Sequence, residues 1–166
     1  MEKFFQEQVD RIDRLMKIVE ANDPYTLMNG LLFYDVIVFT CQSMWHLKDW
    51  ILNDPNFRAA DHAALKKEIH ATRTLLLCSD IANGSKHLSL NYPKVGSTLF
   101  DRTGLHDYPA KGIFKEFYYV YCPDPADEFH GMEIRTFLRH CRNSWEDIIN
   151  RHYLSQADAW LAQQGA

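Results

Sequence analysis

Several things are scarce in this chain, and each scarcity narrows what it does. It has four cysteines, Cys41, Cys78, Cys122 and Cys141, and none forms a CxxC pair. Zinc sites gather their ligands at short spacing, so that scatter does not suggest a structural zinc module. Reduced, buried thiols of an intracellular protein are the expectation instead, because three of the four fall at or beside apolar helical positions. Basic charge is not in excess: 18 lysines and arginines face 22 acidic residues, for a net charge of −4. That argues against a broad polyanion-binding surface, since nucleic-acid modules are usually basic. Seven glycines are spread along the chain, and Gly84-Ser85-Lys86 lacks the upstream glycine and preceding strand of a phosphate loop. There is no GxSxG elbow. The longest apolar run, residues 27 to 40, contains Asn29, Gly30 and Asp35 and is too short to span a bilayer. The opening MEKFFQEQVDRIDRL carries charge throughout, unlike a signal peptide, so a cytoplasmic protein with no membrane segment is expected.

What is present is helix. At 166 residues, 46% of them hydrophobic, the chain suits one domain with a sizeable core. Residues 2 to 21 place Phe5, Val9, Ile12, Leu15, Met16 and Val19 at three- and four-residue steps, which predicts an amphipathic helix. Asn22-Asp23-Pro24 breaks it. Residues 24 to 52 are apolar nearly all round, the mark of a central helix, and Asn53-Asp54-Pro55 ends them. At about 100° per residue, Asp35, Gln42, His46 and Asp49 make one narrow polar stripe on that rod. Residues 57 to 84 predict a third helix with Leu65, Ile69, Thr72 and Leu76 on one face. Continued at the same period, that face becomes Ser79, Asp80, Asn83 and His87.

Residues 88 to 122 are rich in aromatic, glycine and proline residues and predict short extended pieces, including 98–100 and 113–122. A last helix is expected from 127 to 161, with Ile134, Leu138, Cys141, Trp145, Ile148 and His152 on its apolar face and Arg135, Arg139, Arg142 and Glu146 along another. The fold class expected is therefore mainly α: one domain over residues 1–166, a bundle of about four long helices, with a small β-hairpin or meander inserted at 88–122.

The polar stripes of the second and third helices suggest a pocket. His46 and Asp49 stand on one, and Asp80, Asn83, Lys86 and His87 on or just beyond the other. Packed helices lie about 8–10 Å apart, close enough for such stripes to meet. Histidines and carboxylates in a half-buried site suit general acid–base chemistry. A structural hydrogen-bond network is the competing reading. The spacing lacks the third histidine or ExxH pair of a metal site, so neither a metal nor a cofactor is expected.

Residues Ala82-Asn83-Gly84-Ser85-Lys86-His87 resemble Arg-Asn-x-x-x-His, the signature of the HEPN superfamily of α-helical bundles, with alanine in place of the arginine. Trp45-His46-Leu47-Lys48-Asp49-Trp50, the Asp80-x-x-Asn83-x-x-Lys86-His87 run, the strand-rich insert and Trp145-Glu146-Asp147 extend that resemblance over most of the chain. The resemblance implies a metal-independent endoribonuclease, or an RNA- or nucleotide-binding relative, of the kind found in toxin–antitoxin and phage-defence systems. It implies a homodimer with its cleft at the two-fold interface. His87 would be the base or phosphate contact, Asn83 and Asp49 would orient, and Lys86 would supply the positive charge that Ala82 does not. The alternative is a non-catalytic module that binds a protein partner. A second match to the spacing, Arg135-x4-His140, is discounted: five helical steps set the two side chains about 140° apart.

Overall fold

The computed structural model describes residues 4–21, 30–55, 57, 61–84, 99–101 and 118–153. Its helices are α1 (Phe4–Ala21), α2 (Gly30–Asn53), α3 (His62–Ala71), α4 (Arg73–Gly84) and α5 (Ile134–His152), and its strands are β1 (Leu99–Asp101) and β2 (Tyr119–Tyr121). The mainly helical bundle with a small strand-forming insert is as the sequence predicts.

α1 buries Phe5, Val9, Ile12, Met16 and Val19 of the periodic set against α2, while Leu15 is half-buried. Two long-range bonds fix its direction. Gln8 Nε2 donates to the Ser43 carbonyl at 2.8 Å, and the Phe5 N–H donates to the Asp54 carboxylate at 2.8 Å. The start of α1 therefore sits at the end of α2, and the two run antiparallel. Asn53-Asp54-Pro55 stops α2 where expected, whereas the 22–24 break lies outside the described residues.

The long third helix expected over 57–84 is two helices. Asp61 caps α3 by accepting the N–H groups of Ala63 and Ala64 at 2.8 and 3.0 Å. At Thr72 the backbone turns extended, with φ −74° and ψ 111°. Its N–H still bonds the Glu68 carbonyl, and its hydroxyl bonds the same oxygen at 2.8 Å. Its own carbonyl then accepts from Leu75 and Leu76 to begin α4. A β-branched hydroxyl residue offers the backbone such a local alternative to helix. The break re-aims the face: Leu75, Leu77 and Cys78 are fully buried, while Leu76 is only partly so.

β1 and β2 pair antiparallel, Phe100 opposite Val120. The backbone of 131–134 lies along the other edge of β2. Val120 exchanges bonds with Met132 and Gly131, and Ile134 N–H donates to the Tyr118 carbonyl. Gly131 has φ +75°, a conformation that side-chain-bearing residues rarely adopt, and it turns the chain into that edge. The last helix accordingly starts at 134, not 127. Residues 123–133 are turns, in which Asp124 and Asp127 accept N–H groups two residues ahead, and Glu133 caps α5. The apolar face of α5 runs from Ile134 to Ile148 as read, with Phe137 added; His152, read onto that face, is half-buried and turns to Glu68 instead.

Charged side chains tie these elements at their rims. Arg73 clamps Asp127, Arg142 Nε reaches Asp13 at 2.7 Å, and Glu68 on α3 takes both Arg151 and His152 from the end of α5. The hydrogen bond from His152, helped by Arg151, holds the Glu68 carboxyl below its ordinary pKa. Burial works to raise Asp127, but the Phe129 N–H and the Arg73 guanidinium outweigh it and the net shift is downward. A carboxylate with a depressed folded pKa contributes stability that is complete above its unfolded pKa and is lost as pH falls through the folded one. The melting temperature is therefore expected to hold as pH falls to about 4.5 and to drop below it. The share from Glu68 is on the order of 1 kcal/mol or less, because its ion pairs are partly solvated. Thermal melts of Glu68→Gln from pH 6 to pH 3 check this: the variant is expected to lose less stability on acidification than the wild type, and equal losses would refute the assignment.

Candidate functional site

The two stripes that suggested a pocket do not face each other over their described residues. α2 and α4 pack antiparallel. The Cys78 thiol on α4 meets the Cys41 carbonyl on α2 at 3.3 Å, and the Trp45 ring meets His70, just before α4. Moving from that level, His46 lies five residues toward one end and Asn83 five residues toward the other. At 1.5 Å per residue the two are set roughly 15 Å apart along the bundle. The expected convergence of His46 and Asp49 with Asp80 and Asn83 is thus corrected by helix direction, which side-chain periodicity does not encode.

His46 and Asp49 are exposed. Asp49 pairs with Lys48 Nζ at 2.7 Å, and its backbone carbonyl accepts from Asn53. Lys48 also lies over the Trp45 ring, 4.8 Å from its centroid. Asp49 and its neighbours Trp50, Asn53, Asp54 and Pro55 line a shallow cavity of about 390 Å³ at the end of α2. On α4, Ser79 and Asp80 are buried and Asn83 is half-buried, donating to the Ser79 hydroxyl at 3.3 Å. Lys86 and His87 lie outside the described residues. Of the five residues singled out for chemistry, the structure therefore places three: two in solvent on α2 and one in a local hydrogen bond near the end of α4.

The Arg135-x4-His140 match behaves as its helical geometry predicts. Arg135 is taken up by Glu133, by the Val19 carbonyl and by the face of Phe33, whereas His140 is exposed beside Phe129. Arg142 is likewise committed to Asp13 and Glu146. Among the described residues no group of three or more histidine, cysteine or acidic side chains is arranged to hold a metal ion, and no helix is long and apolar enough to cross a membrane. The aromatic run at 113–122 is described only from Tyr118 onward. Tyr118 is buried against Phe33 and Tyr34, and Tyr121 is exposed.

Two clusters were not singled out from the sequence. Glu68, Arg151 and His152 come from residues more than 80 apart, and no local signal joins them. Cys41, Cys78 and Cys141 come together in the core. Their only trace in the sequence is that each falls on the apolar side of its own helix.

The fold and the described site define a class no finer than a mainly helical bundle with a small strand insert. No protein-family model, curated protein or solved structure matches the chain.

Proposed function

We propose that this chain is a HEPN-like helical module that works by association rather than by RNA cleavage, and that it pairs with a second copy of itself along the exposed strip of α2. The observation that carries the reading is the strip itself. Asp35, Phe39, Gln42, His46 and Asp49 run down α2 at alternating four- and three-residue steps, and Phe39 is 50% exposed. Such spacing keeps side chains in a straight line facing one neighbouring helix.

The strip is also self-complementary. A two-fold axis crossing α2 between Thr40 and Cys41 sets Asp35 opposite His46 of a second copy and Phe39 opposite its Gln42. Both contacts are made twice, as an isologous interface requires. An imidazole presents an N–H to a carboxylate in either protonation state. His46 and Asp49 then serve recognition, in keeping with their exposure, and not acid–base chemistry.

The test is the oligomeric state in sedimentation equilibrium. Wild type is expected to dimerise. Phe39→Glu is expected to weaken the dimer at least about tenfold while leaving stability within about 0.5 kcal/mol, as for an exposed site. His46→Asp is expected to weaken it by setting like charges opposite, and Asp35→His combined with His46→Asp is expected to restore it. A wild type that stays monomeric sinks the reading. The runner-up, a metal-independent endoribonuclease of a defence or toxin–antitoxin system, rests on Asn83-x-x-Lys86-His87. Chelator-resistant cleavage of bulk RNA that disappears in His87→Ala would replace association with catalysis.

A further inference from the structure

Three helices each contribute one cysteine to a single point of the core. Cys41 on α2, Cys78 on α4 and Cys141 on α5 are all fully buried. Cys78 Sγ lies 3.3 Å from the Cys41 carbonyl oxygen. Cys141 Sγ lies 3.5 Å from the carbonyl oxygen of Thr74, one turn before Cys78. Cys78 thus stands between the other two: its own thiol donates to α2 at Cys41, and the Cys141 thiol donates to α4 one turn before Cys78. Helices packed about 8–10 Å apart, with Cα atoms about 2.3 Å off each axis, bring facing Cα atoms to roughly 4–5 Å. A disulfide needs about 4.4–6.8 Å.

We propose that Cys41, Cys78 and Cys141 form a two-electron redox site in which Cys78 closes an intramolecular disulfide with one of its two neighbours, the oxidant being a hydroperoxide. Cys78 is the shared sulfur because it lies between the other two, reaching α2 at Cys41 and reached on its own helix by Cys141 from α5. Burial in the core pushes the Cys41 and Cys141 thiols well above their ordinary pKa.

In the locally opened state the Cys78 thiol loses its proton to water, and the thiolate attacks one peroxide oxygen. The O–O bond breaks, and the departing oxygen takes a proton and leaves as water or an alcohol. Cys78 becomes a sulfenic acid. The neighbouring thiol then attacks that sulfur, the S–O bond breaks, and hydroxide leaves as water with the neighbour's proton. Two thiols are oxidised by two electrons and the peroxide is reduced by two. Cys122 stands apart beside Asp127, where burial raises it to about 11, and it remains a thiol. The site is sealed, so the oxidant enters by local opening and the reaction is slow.

The test treats native wild-type protein with hydrogen peroxide, alkylates the remaining thiols, denatures, and maps the peptides. The expected result is loss of two of the four thiols, with every disulfide containing Cys78 and none joining two chains. Cys41→Ser and Cys141→Ser are each expected to lose two thiols still, and Cys78→Ser to lose none. Four thiols retained by the wild type would overturn the proposal, as would a disulfide that omits Cys78 or includes Cys122. Should Cys78→Ser not fold, as judged by circular dichroism, the wild-type peptide map decides alone.

Discussion

Trp145→Ala is expected to cost about 3–5 kcal/mol, the range for truncating a fully buried aromatic side chain. Trp145 is completely buried at the middle of the apolar face of α5, between Cys141 and Ile148, and is the largest fully buried side chain among the described residues. A domain of this size holds about 5–15 kcal/mol in all, so the loss removes a large share of its stability. The melting temperature should fall by roughly 2–4 °C for each kcal/mol.

Trp145→Phe should behave differently. The Trp145 indole N–H is buried with no hydrogen-bond partner among the described residues. An unmade hydrogen bond of this kind costs about 1–3 kcal/mol, and phenylalanine removes it. That gain offsets much of the lost volume, so Trp145→Phe is expected within about 1.5 kcal/mol of wild type. Urea denaturation followed by circular dichroism compares the three proteins. An alanine variant within about 1 kcal/mol of wild type would show that the site collapses or is wet.

The second large effect is expected at Asp54. Its carboxylate is 5% exposed and accepts the Phe5 N–H from 49 residues away. Helices begin with unbonded N–H groups and a partial positive charge, and Asp54 supplies both an acceptor and a negative charge to α1. Around that bond Phe5, Phe57 and Tyr153 stack edge to face and tilted, with centroids 5.2 to 5.9 Å apart. Asp54→Ala is expected to cost about 2–3 kcal/mol, because it removes a charged hydrogen bond and leaves the Phe5 N–H buried and unmet. Asp54→Asn keeps an oxygen in place and should cost about half as much. Denaturant midpoints separate the two. Equal small costs would mean that water from the adjacent shallow cavity satisfies the Phe5 N–H.

Much of the helical frame was legible because burial and helical period agree. On α1 and α5 most residues read as core are buried; Leu15 and His152 are half-buried instead, and Phe137 joins the core unread. Each of those helices has one apolar side and one neighbour-facing side, so the period alone orients it. The strand pairing of 99–101 with 119–121 also agrees with the sequence. The third helix was misread as continuous because Thr72 fits the apolar period while its hydroxyl and extended ψ break the helix there. The last helix starts seven residues later than the sequence predicts because Asp124 and Asp127 fold the preceding segment into turns, and Glu133 caps the helix.

The candidate site was legible only in part. The polar stripe of α2 exists: Asp35, His46 and Asp49 are exposed along it and Gln42 is half-buried. Its supposed counterpart on α4 is partly buried and faces another end of the bundle. Antiparallel packing of α2 on α4 brings the end of one beside the start of the other, so the level of Trp45 meets His70 and lies away from Asn83.

By itself, the sequence determined that this is a mainly helical chain, which helical faces are apolar, and where α2 stops. Those properties depend on side-chain period and on local hydrogen-bonding chemistry. Tertiary structure alone decided which stripes meet. It separated His46 and Asp49 from Asn83, joined Asp54 to Phe5, and gathered Cys41, Cys78 and Cys141 from three helices. Helix direction and axial register set those distances, and neither is written in any local stretch of residues.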